Sequence, residues 1–226
     1  MNAQKRVLLL VGSPRGRNST SESLGTYLLD RLREKGLKTE TVRLSPLLKS
    51  DEGKQNLLTV VDGSDIIILV CPLYVDSSPA MVIKALEMIA KHRKSKKTVN
   101  NQQLLVICNS GFPEAYHNDT ALAIYRRFAV ESGFKWVGGL ALGMGEAIAG
   151  QSLEKAGGKA KKVRRSLEMA ADALVEGNPI PQTSVDLMAR PFIPAWMCIL
   201  FGGLGWKSRA KKNGVGKTIN SRPYQR

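Results

Sequence analysis

Along this chain, short and fully apolar runs alternate with longer segments whose apolar residues recur at helical spacing. Val7–Val11, Ile66–Val70, Leu104–Cys108 and Trp136–Leu142 are strong runs, and Thr41–Leu44 is a weaker one. Apolar residues in succession suit strands covered on both faces, as in a parallel sheet. Between them, Ser23–Lys35 sets Leu24, Tyr27, Leu28 and Leu32 on one stripe and stops at Gly36, a C-cap residue. Pro79–Lys91 places Met81, Val82, Ala85, Leu86 and Ile89 on another stripe, with Pro79 where a first helical turn accepts it. Thr120–Ser132 and Lys159–Glu176 follow the same rule, and Gln55–Asp62 is a shorter helix candidate.

Five strand–helix units within residues 1–178 predict an α/β fold with a doubly wound parallel sheet. Five units in that length fit the flavodoxin-like strand order 2-1-3-4-5 better than the dinucleotide-binding Rossmann order. After Pro179 the periodicity fades into prolines, glycines and a basic finish. The predicted organisation is therefore a domain over 1–178 and a basic C-terminal extension over 179–226.

In such sheets ligands bind at the carboxyl ends of the strands, and three of these ends carry suitable residues. After the first strand, Gly12–Ser21 combines Gly12 and Gly16, which allow close backbone approach, with the hydroxyls of Ser13, Ser19, Thr20 and Ser21 and the charge of Arg15. That set suits a monophosphate at a helix N-terminus. It is not the G-x-G-x-x-G dinucleotide fingerprint. After the third strand, Cys71–Ala80 offers prolines and Tyr74 to a flat ring. After the fourth, Cys108–Asn118 offers Asn109, Ser110 and Gly111 to a ring with amide-like edges. The Gly214–Thr218 stretch GVGKT imitates the end of a phosphate-binding P-loop, but Lys211 stands where that motif requires glycine, and no strand precedes it.

The segments GSPRGRNSTS, PLYVDSSPAMVIKALE and NSGFPEAYHN resemble the phosphate, ring and pyrimidine-edge loops of the flavodoxin-like NAD(P)H-dependent FMN reductases and quinone reductases. The resemblance covers about residues 5–178. It implies FMN, with the phosphate on Ser13, Arg15, Asn18, Ser19, Thr20 and Ser21. The isoalloxazine would lie against Pro72, Leu73, Tyr74 and Val75, with its polar edge on Asn109, Ser110, Gly111 and Phe112. It further implies an enzyme that takes hydride from NADH or NADPH and passes electrons to a quinone, free flavin or similar small acceptor, working as a homodimer or higher homo-oligomer. The alternative is a flavodoxin-type electron carrier without its own turnover; the basic charge and Arg15 count against it, since such carriers are typically acidic. His117, just after the third loop, is a candidate proton donor to the acceptor or a surface residue before the next helix. Gly143–Gly158 is long for a strand–helix connection and suits a lid, an arm reaching a partner's site, or a plain mobile loop.

Composition then bounds the picture. The 226 residues are 43% hydrophobic, enough for one sizeable core, which excludes a disordered polar tract. Cys71, Cys108 and Cys198 are odd in number and widely spaced, giving neither a disulfide framework nor a metal cluster, and point to a reducing cytoplasm. The apolar start is broken at once by Gly-Ser-Pro-Arg, unlike a signal peptide, and Pro191–Trp206 is too short to span a bilayer. The net charge is +15, from 34 Lys+Arg and 19 Asp+Glu. Residues 1–178 hold 26 and 18 of these, and residues 179–226 hold 8 and 1, so nearly half the excess lies outside the predicted domain. No aromatic–basic motif points to nucleic acid as a partner. Trp196, Phe201 and Trp206 beside Lys207, Arg209, Lys211 and Lys212 suit packing across a dimer or a weak contact with an anionic membrane surface.

Overall fold

The computed structural model describes residues 4–96 and 101–222. Lys97, the end of the basic run that closes the third predicted helix, lies outside them, and the side chains of Trp196, Cys198 and Phe201 are likewise outside what is described. Strands β1 (Arg6–Val11), β2 (Lys38–Arg43), β3 (Ile66–Pro72), β4 (Gln103–Asn109) and β5 (Lys135–Leu142) form one parallel sheet in the order β2-β1-β3-β4-β5. This is the predicted doubly wound, flavodoxin-like order.

Alternation along each strand divides the core in two. Val7, Leu9 and Val11 face one layer with Ile66, Ile68 and Val70, where α1 (Thr20–Glu34) and α6 (Lys161–Glu176) supply Leu24, Leu28, Leu32, Leu167 and Leu174. Leu8 and Leu10 face the other, with Ile67 and Leu69, under α3 (Asp51–Asp62), α4 (Ala80–Lys94) and α5 (Asp119–Glu131). A four-residue helix α2 (Leu44–Leu47) follows β2. Central strands buried on both faces are the reason their sequences read as unbroken apolar runs. Edge strand β2 buries only Val42, which explains its weak pattern.

The first compact unit runs to Phe192 instead of ending at residue 178, and residues 193–226 form a second. Ile180 donates its N–H to the Val137 carbonyl at 2.7 Å, so the chain continues along the edge of β5. Gly138 makes room for it, since a Cβ there would sit 2.7 Å from the Ile180 side chain. Helix α7 (Gln182–Ala189) then packs on α6 through a reciprocal pair: Ser166 Oγ donates to the Ser184 carbonyl at 2.7 Å, and Ser184 Oγ to the Ser166 carbonyl at 2.8 Å. The second unit contains α8 (Ala195–Lys212).

Candidate functional site

Because β1, β3 and β4 are neighbours in the sheet, the loops at their carboxyl ends face one another. They line one shared, open cleft. The first loop contributes Ser13, Arg15, Ser19, Thr20 and Ser21; the β3 and β4 loops contribute Pro72, Leu73, Tyr74, Asn109, Ser110 and Gly111. These predicted residues are therefore brought together in one place.

Close approach at the floor of the cleft depends on Gly12. A Cβ there would lie 2.4 Å from Val82 Cγ2 on α4 and 3.1 Å from Cys71 Cβ. Helix α1 starts at Thr20, earlier than its apolar stripe indicates, so Thr20 and Ser21 belong to its first turn. Ser19 is its N-cap and accepts the Glu22 N–H at 3.1 Å. The hydroxyls predicted as ligand donors thus already have protein partners. Thr20 Oγ1 donates to the Gly145 carbonyl at 2.8 Å, and Ser21 Oγ accepts from Asn109 Nδ2 at 2.8 Å. Ser19 and Ser21 serve as acceptors in these contacts, so their O–H groups remain available, as do the Thr20 and Ser21 amides at the start of α1.

Asn109 is a brace. Its Nδ2 also donates to the Cys71 carbonyl at 3.0 Å, which spends both amide hydrogens on tying β4 to β3 and α1. The loop after β3 is a tight turn: Tyr74 and Ser77 exchange backbone hydrogen bonds at 2.8 and 3.1 Å, with Val75 and Asp76 between them in the left-handed region at φ 49° and 59°. Non-glycine residues there carry strain.

Two further cleft residues, Gly145 and Glu146, come from the segment after β5. That segment packs against the loops after β1 and β4 and forms one wall of the cleft. Met144 N–H donates to the Phe112 carbonyl at 2.7 Å and Gly145 N–H to the Ser110 carbonyl at 2.8 Å. Ile148 and Leu153 are fully buried, and a Cβ on Gly150 would strike the Asn18 carbonyl at 2.2 Å. Glu146 Oε1 lies 2.7 Å from Arg15 Nη1. The hydrogen bond that Arg15 donates to Glu146, and the charge of that carboxylate, push the Arg15 guanidinium further above its ordinary value. The signal for this wall was available: Gly-Met-Gly-Glu directly follows the fifth strand, the position at which the other loops bind.

Four predicted residues do not line the cleft. Asn18 sits in the 3-10 turn Gly16–Asn18, with its carbonyl against Gly150. Val75 is 97% exposed at the tip of the β3 turn. Phe112 is exposed and stacks on His117, with ring centroids 4.5 Å apart. His117 lies between Phe112 and Tyr116, the latter also at 4.5 Å, with Nε2 3.8 Å from Glu114 Oε2. Behind the cleft, Cys71 and Cys108 are buried with Sγ atoms 3.9 Å apart, and Tyr125 Oη is 2.9 Å from Cys71 Sγ. The contact with Cys71 and burial push the Cys108 thiol well up, and burial does the same to the Tyr125 phenol, so these groups stay neutral. That fits small packing residues near strand ends.

The pattern of the NADPH-dependent FMN reductase family matches residues 5–121, just over half of the chain. No curated protein matches the chain. Among solved structures, the fold is similar to an FMN-dependent NADH-azoreductase from Bacillus anthracis in complex with FMN: TM-score 0.55, 14% identity, covering 75% of this chain and 99% of that one. An NAD(P)H:quinone oxidoreductase from Methanothermobacter marburgensis gives TM-score 0.53 and 17% identity, covering 76% and 94%. A flavodoxin from Streptococcus pneumoniae gives TM-score 0.53 and 17% identity, covering 76% and 99%.

Proposed function

Because this chain belongs to the NADPH-dependent FMN reductase family, we propose that its cleft holds FMN and that it takes hydride from NADH or NADPH and passes electrons to a small acceptor such as a quinone or free flavin. The observation that carries this reading is the convergence of three loops, one rich in anion donors and two presenting apolar and amide groups, on a single cleft. The donor set fits the cofactor. The Thr20 and Ser21 amides, the O–H groups of Ser13, Ser19 and Ser21, and Arg15 suit a phosphate. Pro72, Leu73 and Tyr74 suit a flat ring.

When bound, FMN supplies the redox chemistry, and the chain supplies position and electrostatics. Arg15 exchanges Glu146 for the phosphate and so anchors one end. The carbonyl of Ser110 turns to the wall after β5, which leaves the Gly111 amide, at the other side of the same peptide, directed away from that wall, where it would donate to the polar edge of the ring. The exposed apolar rim formed by Tyr74, Val75, Phe112 and Tyr116 suits coverage by a second copy of the chain, so the working form is a homodimer. The unbonded thiols of Cys71 and Cys108 suit a reducing compartment such as the cytoplasm.

Steady-state oxidation of NADPH and NADH by the FMN-loaded protein, with a quinone, a dye or free flavin as acceptor, tests the enzyme reading. Turnover that depends on the acceptor is expected. Bound FMN without turnover on any of them would identify an electron carrier and overturn it.

A further inference from the structure

The C-terminal unit has a chemistry of a different kind from the cleft. Residues 193–226 carry Lys207, Arg209, Lys211, Lys212, Lys217, Arg222 and Arg226, and contain no Asp or Glu. Helix α8 is divided along its length. Ala195–Trp206 has no charged residue, whereas Lys207–Lys212 has four cations in six positions. Leu200, Leu204 and Trp206 are 52%, 56% and 69% exposed. Large apolar side chains held this far out of a core on one helix mark a contact surface.

Leu200, Leu204, Lys207 and Lys211 recur at i, i+4, i+7 and i+11 and so share one stripe of α8, with Trp206 at the junction of its two halves. Apolar residues, then tryptophan, then cations is also the order of depth through one leaflet of a bilayer: acyl boundary, interface, headgroup phosphates. The uncharged stretch spans only about 18 Å at roughly 1.5 Å per residue, well short of the ~30 Å hydrocarbon core. Among the described residues no helix is long and apolar enough to cross a membrane. We propose that α8 docks this protein on the surface of an anionic lipid bilayer, with Leu200 and Leu204 at the acyl boundary and Lys207 and Lys211 on the headgroup phosphates. A nucleic acid would use the cations but leave Leu200 and Leu204 without a role, and a second α8 brings no acidic residue to meet them.

The proposal is independent of the flavin reading and is tested without it. The full chain is sedimented with phosphatidylcholine vesicles, with and without about one quarter phosphatidylglycerol, at low and high salt. Roughly tenfold more protein is expected on the anionic vesicles, with the excess lost at high salt. The double variant Lys207→Glu/Lys211→Glu is expected to lose the preference. Leu204→Gln is expected to weaken binding while keeping its salt dependence. Unchanged thermal melting by circular dichroism verifies that both variants fold. Equal binding to the two vesicle types, or none to either, would overturn the proposal. So would unchanged binding by the charge-reversed variant, capture of duplex RNA in place of vesicles, or self-association through α8 in vesicle-free solution.

Discussion

Arg15 Nη1 and Glu146 Oε1 meet at 2.7 Å, joining the loop after β1 to the segment after β5 across 131 positions of sequence. Both side chains are about two-thirds exposed, at 64% and 66%, so solvent weakens the pair. A phosphate dianion offers more charge and more acceptors than one carboxylate, so on the proposed reading FMN would take Arg15 from it. Glu146→Gln is therefore expected to tighten FMN binding about three- to tenfold, and Arg15→Ala to weaken it about tenfold or more. Riboflavin, which lacks the phosphate, is the control. Quenching of flavin fluorescence measures both, and equal changes for FMN and riboflavin would remove Arg15 from the phosphate site.

Asn109 holds the Cys71 carbonyl and Ser21 hydroxyl together, tying β4 to β3 and α1. Asn109→Ala leaves a buried carbonyl without its donor and is expected to cost about 1–3 kcal/mol of stability. FMN binding should weaken as well, because Ser21 loses its fixed orientation. Urea unfolding of the variant, read by circular dichroism, checks the first effect, and a midpoint equal to that of the parent would contradict it.

Gly12 owes its place to the close approach of Val82, 2.4 Å from where a Cβ would stand. Gly12→Ala is expected to destabilise by about 1–3 kcal/mol through overpacking. Val82→Ala removes the obstructing methyl groups. The double variant should then be more stable than the sum of the two single losses allows. Simple additivity in thermal melts would mean that the two residues do not compete for space.

Legibility in the sequence followed burial. The central strands were readable because both faces are covered, while β2, with only Val42 buried, read three residues late at its start and one late at its end. Helix α7 was hidden because Ser184 buries itself by pairing with Ser166, a polar contact that leaves no apolar period. At the site, loop composition indicated which segments converge, since that follows from strand order. It could not reveal that Asn109 spends its amide on Ser21, because that depends on side-chain direction. The pairing of Glu146 was equally out of reach: the sequence shows a carboxylate after the fifth strand, but only the fold shows that it meets Arg15.

Acid stability should report the Asp62 cluster, in which His92 Nε2 lies 2.8 Å from Asp62 Oδ2 and Lys96 donates to the same oxygen. Burial pushes this carboxyl up, but the hydrogen bonds from Lys96 and His92 outweigh it and hold it below its ordinary value. A carboxylate depressed on folding contributes stability above the unfolded value of about 3.9, and that stability is lost as pH falls through the folded value. Asp62→Asn should therefore cost about 0.5–1 kcal/mol at neutral pH and progressively less below pH ~4. Urea midpoints of parent and variant across that range give the difference directly. A gap that stays constant into acid would contradict the assignment.

On the proposed reading, the cleft at the ends of β1, β3 and β4 holds a flavin that a nicotinamide can reduce. The absorption spectrum of the purified protein after incubation with FMN and removal of the excess tests it most directly. Retained visible flavin bands at one FMN per chain, bleached under anaerobic conditions by NADPH or NADH, are the predicted result. A colourless protein that takes up no FMN, or bound bands that neither nucleotide bleaches, would contradict it.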